Sequence, residues 1–115
     1  MRHGMKKKTL NMPSDQRSAV IRNLMISMLK CGKVQTTIAK AKAFVPEMEK
    51  LITRAKEKNL TNTRYFIAHL NKESVNNIYE IASKMADRKG GYTKITKNWQ
   101  RYGDAGEIAT VEFVF

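Results

Sequence analysis

Arg88-Lys89-Gly90-Gly91-Tyr92-Thr93-Lys94-Ile95-Thr96-Lys97-Asn98-Trp99-Gln100-Arg101-Tyr102 is the stretch at which the chain changes its hydrophobic period. Tyr92, Lys94 and Thr96 alternate with Thr93, Ile95 and Lys97, the two-fold pattern of a strand. Ala109, Val111, Phe113 and Phe115 alternate with Thr110 and Glu112 in the same way. Upstream of Gly90 the periodic segments are helical, apart from a short β-prone run at Lys33-Val34-Gln35-Thr36-Thr37. The expectation is an α+β fold: several helices packed on a small mixed sheet of about three strands, preceded by an extended basic N-terminal arm. Gly90 and Gly91 set the backbone between the two regimes. Asn98 to Glu107, with Gly103 and Gly106, read as a loop of about ten residues, longer than a tight hairpin needs.

The same stretch concentrates charge. Residues 88–102 hold five cations, three aromatics and no acid. Such a segment repels itself in isolation and is accommodated beside a polyanion, whose phosphates take the cations and whose bases or sugars meet the rings. The whole chain of 115 residues has a formal net charge of +12 and a pI near 10.0. Residues 1–42 carry ten cations and one acid, residues 43–87 seven and six, and residues 88–115 five and three. The excess therefore sits towards the two ends, around a nearly neutral helical middle, and two charged ends point to a docking surface rather than to solubility alone. With 42% apolar residues the chain can bury one modest core, as suits a single domain of this length.

Residues 1–13 read as a flexible basic arm and residues 14–115 as a single globular domain that binds nucleic acid. The arm holds Arg2, His3, Lys6, Lys7 and Lys8 with only scattered apolar residues. Pro13-Ser14-Asp15 marks a helix start, with the Ser14 hydroxyl placed to accept from an orphan amide. The helix reaches about Lys30, with Val20, Ile21, Leu24, Met25, Met28 and Leu29 on its apolar face, Arg22 opposite, and Arg17 in the first turn. Gly32 supplies the left-handed stop. Thr37 caps a second helix whose Ala41, Phe44, Val45, Met48, Leu51, Ile52 and Ala55 fall in one arc. Pro46 lies on its exposed side and implies a kink. Lys33 precedes that helix, and Lys40 and Lys42 stand near its amide-rich N-terminus on opposite edges of the apolar face, too far apart to form one compact patch. Thr61 caps a short helix with Tyr65, Phe66 and Leu70, and Asn71 opens another through Val75, Ile78, Tyr79, Ala82 and Met85.

Catalytic chemistry is missing from the pattern. Gly90-Gly91 followed by Lys94 does not satisfy a phosphate-binding loop of the Walker type. Cys31 is alone, His69 has no ligand set near it, and the helical carboxylates are interleaved with cations, so no triad, carboxylate dyad, metal site or cofactor site is expected. No apolar run approaches a membrane span, and the basic start is not followed by a secretory apolar stretch, so an intracellular protein with no membrane partner is expected.

Three stretches together resemble the bacterial-type large-subunit ribosomal protein family number seventeen, over nearly the whole chain. They are Met1-Arg2-His3 with Leu10, Arg17 and Arg22-Asn23; Val34-x-Thr36-Thr37-x-x-Lys40-Ala41-Lys42 continued by Leu51-Ile52-Thr53-x-Ala55-Lys56; and Gly90-Gly91-Tyr92-Thr93-Lys94-Ile95 with Arg101-x-Gly103-Asp104. The chain departs from the family pattern at Met12, Gln16 and Pro46. The resemblance implies a small sheet packed with helices, no catalysis, no small-molecule substrate, contacts with large-subunit ribosomal RNA and neighbouring ribosomal proteins, and a place on the solvent side near the nascent-chain exit. It implies the cytoplasm of a bacterium, or an organellar matrix. The RNA-contacting candidates are the five arm residues, the helix-end cations Arg17, Arg22, Lys33, Lys40 and Lys42, the later cations Arg88, Lys89, Lys94, Lys97 and Arg101, and Trp99 and Tyr102 as stacking residues. Gly32, Gly90 and Gly91 are structural turns. A different class, a free DNA-binding regulator or nucleoid-associated protein, shares the basic arm but lacks a clear recognition helix.

Overall fold

The computed structural model describes residues 3–4 and 8–115. Its elements run α1 (Ser14–Cys31), β1 (Lys33–Thr37), α2 (Ile38–Ala55), α3 (Leu60–His69), α4 (Lys72–Lys84), β2 (Thr93–Gln100) and β3 (Glu107–Phe113). The α+β class and the three strands agree with the sequence pattern. The sheet has the order β1-β3-β2 and both pairings are antiparallel, so it is not mixed. β1 and β2 do run parallel to each other, but β3 lies between them and opposes both.

α2 is the centre of the core because its apolar arc is the most complete. Ala41, Phe44, Met48, Leu51, Ile52 and Ala55 are buried and Val45 is half-buried. α1 contributes Met25, Met28 and Leu29, with Ile21 and Leu24 packed at the margin. α4 contributes Val75, Ile78, Ile81 and Ala82, and β3 presents Ala109, Val111 and Phe113 from one face. The helix continues through Pro46, which is exposed on the face away from the core. Having no N–H, Pro46 cannot donate the helical bond to the Lys42 carbonyl.

The helix ends differ from the pattern in three places. α1 begins with Pro13 at the cap position and no side-chain cap bond, so Ser14 is the first helical residue rather than the cap. α3 is capped by Asn59, whose side chain accepts from the Asn62 amide at 2.8 Å; Thr61 lies inside the helix. Thr37 occupies the cap position of α2 but its side chain makes no cap bond, and the signals at Gly32 and Asn71 hold. Gly32 adopts φ 82° and donates its N–H to the Met28 carbonyl at 2.8 Å, and Asn71 accepts from the Ser74 amide at 2.9 Å.

Tyr92 ties the sheet to α2. Its ring is 1% exposed, and its hydroxyl lies 3.1 Å from the Thr53 hydroxyl. Beside it, Thr93 donates to the Glu49 carboxylate at 2.9 Å. Lys56 reaches over the Tyr92 ring and donates to the Arg88 carbonyl. That contact with Lys56, seconded by Thr53, lowers the Tyr92 pKa from its ordinary value.

The β2–β3 loop is shorter than its composition suggested, because β2 continues through Asn98-Trp99-Gln100. An extra residue is absorbed between Lys97↔Ala109 and Gln100↔Glu107, a bulge held in part by Asn98 donating to the Thr110 hydroxyl at 2.6 Å. Thr93 and Ile95 are half-buried, whereas residues 96–100 are exposed, so the hairpin runs on past the helical layer.

Candidate nucleic-acid interface

Cations from separate parts of the chain come together in a groove of about 730 Å³ between α1, α2 and α3. α1 supplies Arg17 and Arg22, α2 supplies Lys42 and Lys50, and Lys8 approaches from the segment before α1. Ile21, Met25, Ala43 and Leu51 form an apolar floor, and Tyr65 and His69 of α3 close one side. The single carboxylate among the described lining residues, Glu47, lies 3.5 Å from Lys50. Glu47 offsets one of the five lining cations and leaves the groove with an excess of positive charge. Arg22 is held in place, donating from Nη2 to the Leu70 carbonyl at 2.9 Å, at the end of α3 where helical carbonyls lack partners.

A second basic region follows the sheet. Lys33 and Lys94 each pair with Glu112, from β1 and β2, and the three side chains share the sheet face opposite Ala109, Val111 and Phe113. Lys97 pairs with Ala109 and so lies on the other face from Lys94, as their opposite parity requires, but it is exposed because the hairpin has by then left the helices. Arg88 and Lys89 are exposed in the connection before β2, and the Arg88 side chain donates to the Gly91 carbonyl at 3.3 Å. Gly91 has φ 63°, which favours glycine. Trp99 is 60% exposed, and Tyr102 stands fully in solvent at the hairpin tip. Neither ring is used by the core, as a stacking role requires.

Arg101 is committed within its own loop. Its side chain donates to Asp104 from Nε at 3.0 Å and from Nη2 at 2.5 Å, while its amide donates to the Gly106 carbonyl at 2.7 Å. Asp104 also accepts from the Gly106 amide at 3.1 Å, and the guanidinium and that amide hold its carboxyl down at about 2. The Arg101 charge is thus largely balanced where it stands.

Lys40 is half-buried near the start of α2 and does not line the groove, whereas Lys42 does, consistent with their separation on the helix. His3 is exposed. Arg2, Lys6 and Lys7 lie outside the described residues. Lys50, Tyr65 and His69 belong to the groove and were not singled out by the sequence pattern. The only hint was the i, i+4 spacing of the two rings. His69, solitary in sequence, stacks on Tyr65 with centroids 4.0 Å apart.

Among the described residues no group of His, Cys, Asp or Glu could hold a metal ion, and no helix is long and apolar enough to cross a membrane. Fold and surface define a class: a small, basic α+β protein whose cations gather in a groove and along a hairpin. Comparison with known proteins makes this specific. The family model for Ribosomal protein L17 matches residues 20–114. Similar proteins include the large ribosomal subunit protein bL17 of Campylobacter lari, 46% identical over 115 residues covering 98% of this chain and 97% of that protein. Those of Clostridium novyi (46% over 107 residues; 91% and 95%) and Sulfurovum sp. (45% over 116 residues; 99% and 100%) carry the same name. The chain belongs to the ribosomal protein L17 family, and it is a ribosomal structural protein, not an enzyme.

Proposed function

We propose that the protein is a constituent of the large ribosomal subunit that binds and stabilises folded ribosomal RNA through the α1–α2–α3 groove and the basic hairpin. The observation that carries this reading is the convergence of Lys8, Arg17, Arg22, Lys42 and Lys50 over an apolar floor, in a chain whose relatives are large-subunit proteins. Cations held on a packed scaffold lower phosphate repulsion where RNA strands approach one another, and they fix local RNA shape without turnover. Neighbouring large-subunit proteins are the other partners, the bacterial cytoplasm is the compartment, and the family resemblance favours the solvent side of the subunit near the nascent-chain exit.

Two measurements test this. Untagged protein should sediment with large subunits at moderate salt; sedimentation with nuclease-sensitive DNA instead would favour a DNA-binding regulator and defeat the proposal. In a salt titration of RNA binding, neutralisation of roughly eight phosphates gives a log–log slope of about −6 to −7. A slope near −1 is incompatible with the mechanism. Crosslinks from Lys8, Lys33 and Lys94 in purified subunits would separate RNA contacts from protein contacts and locate the site relative to the exit.

A further inference from the structure

Tyr65 carries a group on each side of its ring. The Arg54 guanidinium carbon lies 3.7 Å from the ring centre, and the His69 imidazole stacks 4.0 Å from it at 23°. Two planar groups that close to one centre cannot share a face, so the order is Arg54, Tyr65, His69, with His69 at the end that lines the groove. Each layer is oriented by another contact. Arg54 donates from Nε to Asn62 Oδ1 at 3.0 Å. The His69 ring is fixed by a 2.9 Å bond between Nδ1 and the Tyr65 carbonyl; a carbonyl cannot donate, so Nδ1 is the donor. His69 is exposed, on the wall of the groove. The bond from Arg22 to the carbonyl of Leu70, the very next residue, sets a guanidinium at the same end of α3.

We infer that this stack is a platform for one unpaired RNA base, which enters the groove, continues the column on the outer face of His69 and leaves its phosphate to Arg22, Arg17 and Lys42. The inference rests on the RNA-binding reading above and deepens it by naming an unpaired nucleotide as the occupant. The apolar floor with its cationic rim complements a flat ring attached to an anion, and a groove of about 730 Å³ is of the size that takes a small organic ligand. A duplex keeps its bases stacked inside and offers the groove only phosphates. Adjacent bases in a single strand expose faces that an aromatic side chain can cover.

The test uses the full chain at low salt with a ten-nucleotide oligoadenylate containing one 2-aminopurine, and a hairpin duplex RNA of equal charge. Stacking should quench the 2-aminopurine fluorescence on binding. His69→Ala should weaken oligoadenylate binding about 5- to 150-fold, the range to which about 1–3 kcal/mol per stacked base converts. His69→Phe, which keeps a flat ring, should retain most of the affinity, and neither variant should change duplex binding. Equal losses in His69→Ala and His69→Phe, an unchanged His69→Ala, or the same His69 sensitivity for the duplex would each overturn the inference while leaving RNA binding intact. If the unmodified chain binds neither RNA, the broader reading fails and takes this one with it.

Discussion

Substitution at Tyr92 separates two contributions that the fold places on one side chain. The ring is a fully enclosed member of the core, and the hydroxyl makes a 3.1 Å contact with Thr53. Each hydroxyl has one proton and a carbonyl within reach, Glu49 for Thr53 at 3.1 Å and Arg88 for Tyr92 at 3.4 Å, so either one can be the donor in the bond between them. Tyr92→Phe removes that bond and keeps the ring, at a cost of about 1 kcal/mol. Tyr92→Ala also removes the ring and leaves a cavity, which for large aromatic residues costs about 3–5 kcal/mol. Thr53→Val combined with Tyr92→Phe should show a coupling of about 0.5–1 kcal/mol, since either change alone already breaks the same bond. Urea denaturation of the four proteins measures all of this, and each kcal/mol should lower Tm by roughly 3–6 °C in a chain of this length. Additive single changes would show that the two hydroxyls do not interact. A loss above about 3 kcal/mol in Tyr92→Phe, or below about 1.5 in Tyr92→Ala, would refute the assignment of ring to core and hydroxyl to tether.

Lys94→Glu with Lys97→Glu should weaken association with large subunits and leave the fold intact, because both side chains are exposed on the hairpin; unchanged incorporation in a subunit reconstitution removes their role. Asp104 should titrate at about 2 by NMR, below the ordinary carboxylate value of about 3.9. Its folded pKa is depressed, so its contribution is complete above the ordinary value and disappears as pH falls through about 2, and Arg101→Ala should bring the midpoint back up. Asn71→Ala, which removes the α4 cap, should cost about 1 kcal/mol in denaturant unfolding, and no loss would mean that the 2.9 Å bond contributes nothing net.

Where one element alone decides its conformation, the sequence is a sufficient guide. The α2 face is set by helical period, the end of α1 by a glycine that can take positive φ, and the last two strands by alternation. Capping at α3 was harder to read, because Asn59, Thr61 and Asn62 all carry side chains able to cap, and only the final backbone path selects among them. The length of β2 was hidden for a related reason: a bulge lets polar Asn98 and Gln100 continue a ladder that their composition argues against. The groove lay beyond any local pattern. Arg17 and Arg22, Lys42 and Lys50, and His69 come from three helices, and their meeting depends on how α1 and α3 pack around α2. Nor does a residue type reveal its partner. Arg22 and Arg101 look alike as cations, yet one fastens a helix end and the other closes its own loop on Asp104.

The strand order also constrains when the sheet can form. β3 pairs with both β1 and β2, and it follows both in sequence. During synthesis, residues 33–37 and 93–100 must wait without a ladder partner, while the helices between them can already associate through local contacts. The β1–β3 pairing is therefore a late event, joining strands with all of α2, α3, α4 and β2 between them in sequence, and pairings of that kind slow folding, whereas β2 and β3 meet as a local hairpin. Until β3 is made, both strand edges are open to foreign strands. Lys33, Lys94 and Lys97 place charge along those waiting edges, a known deterrent to edge-to-edge aggregation, so the same lysines can protect the growing polypeptide before there is any RNA to meet.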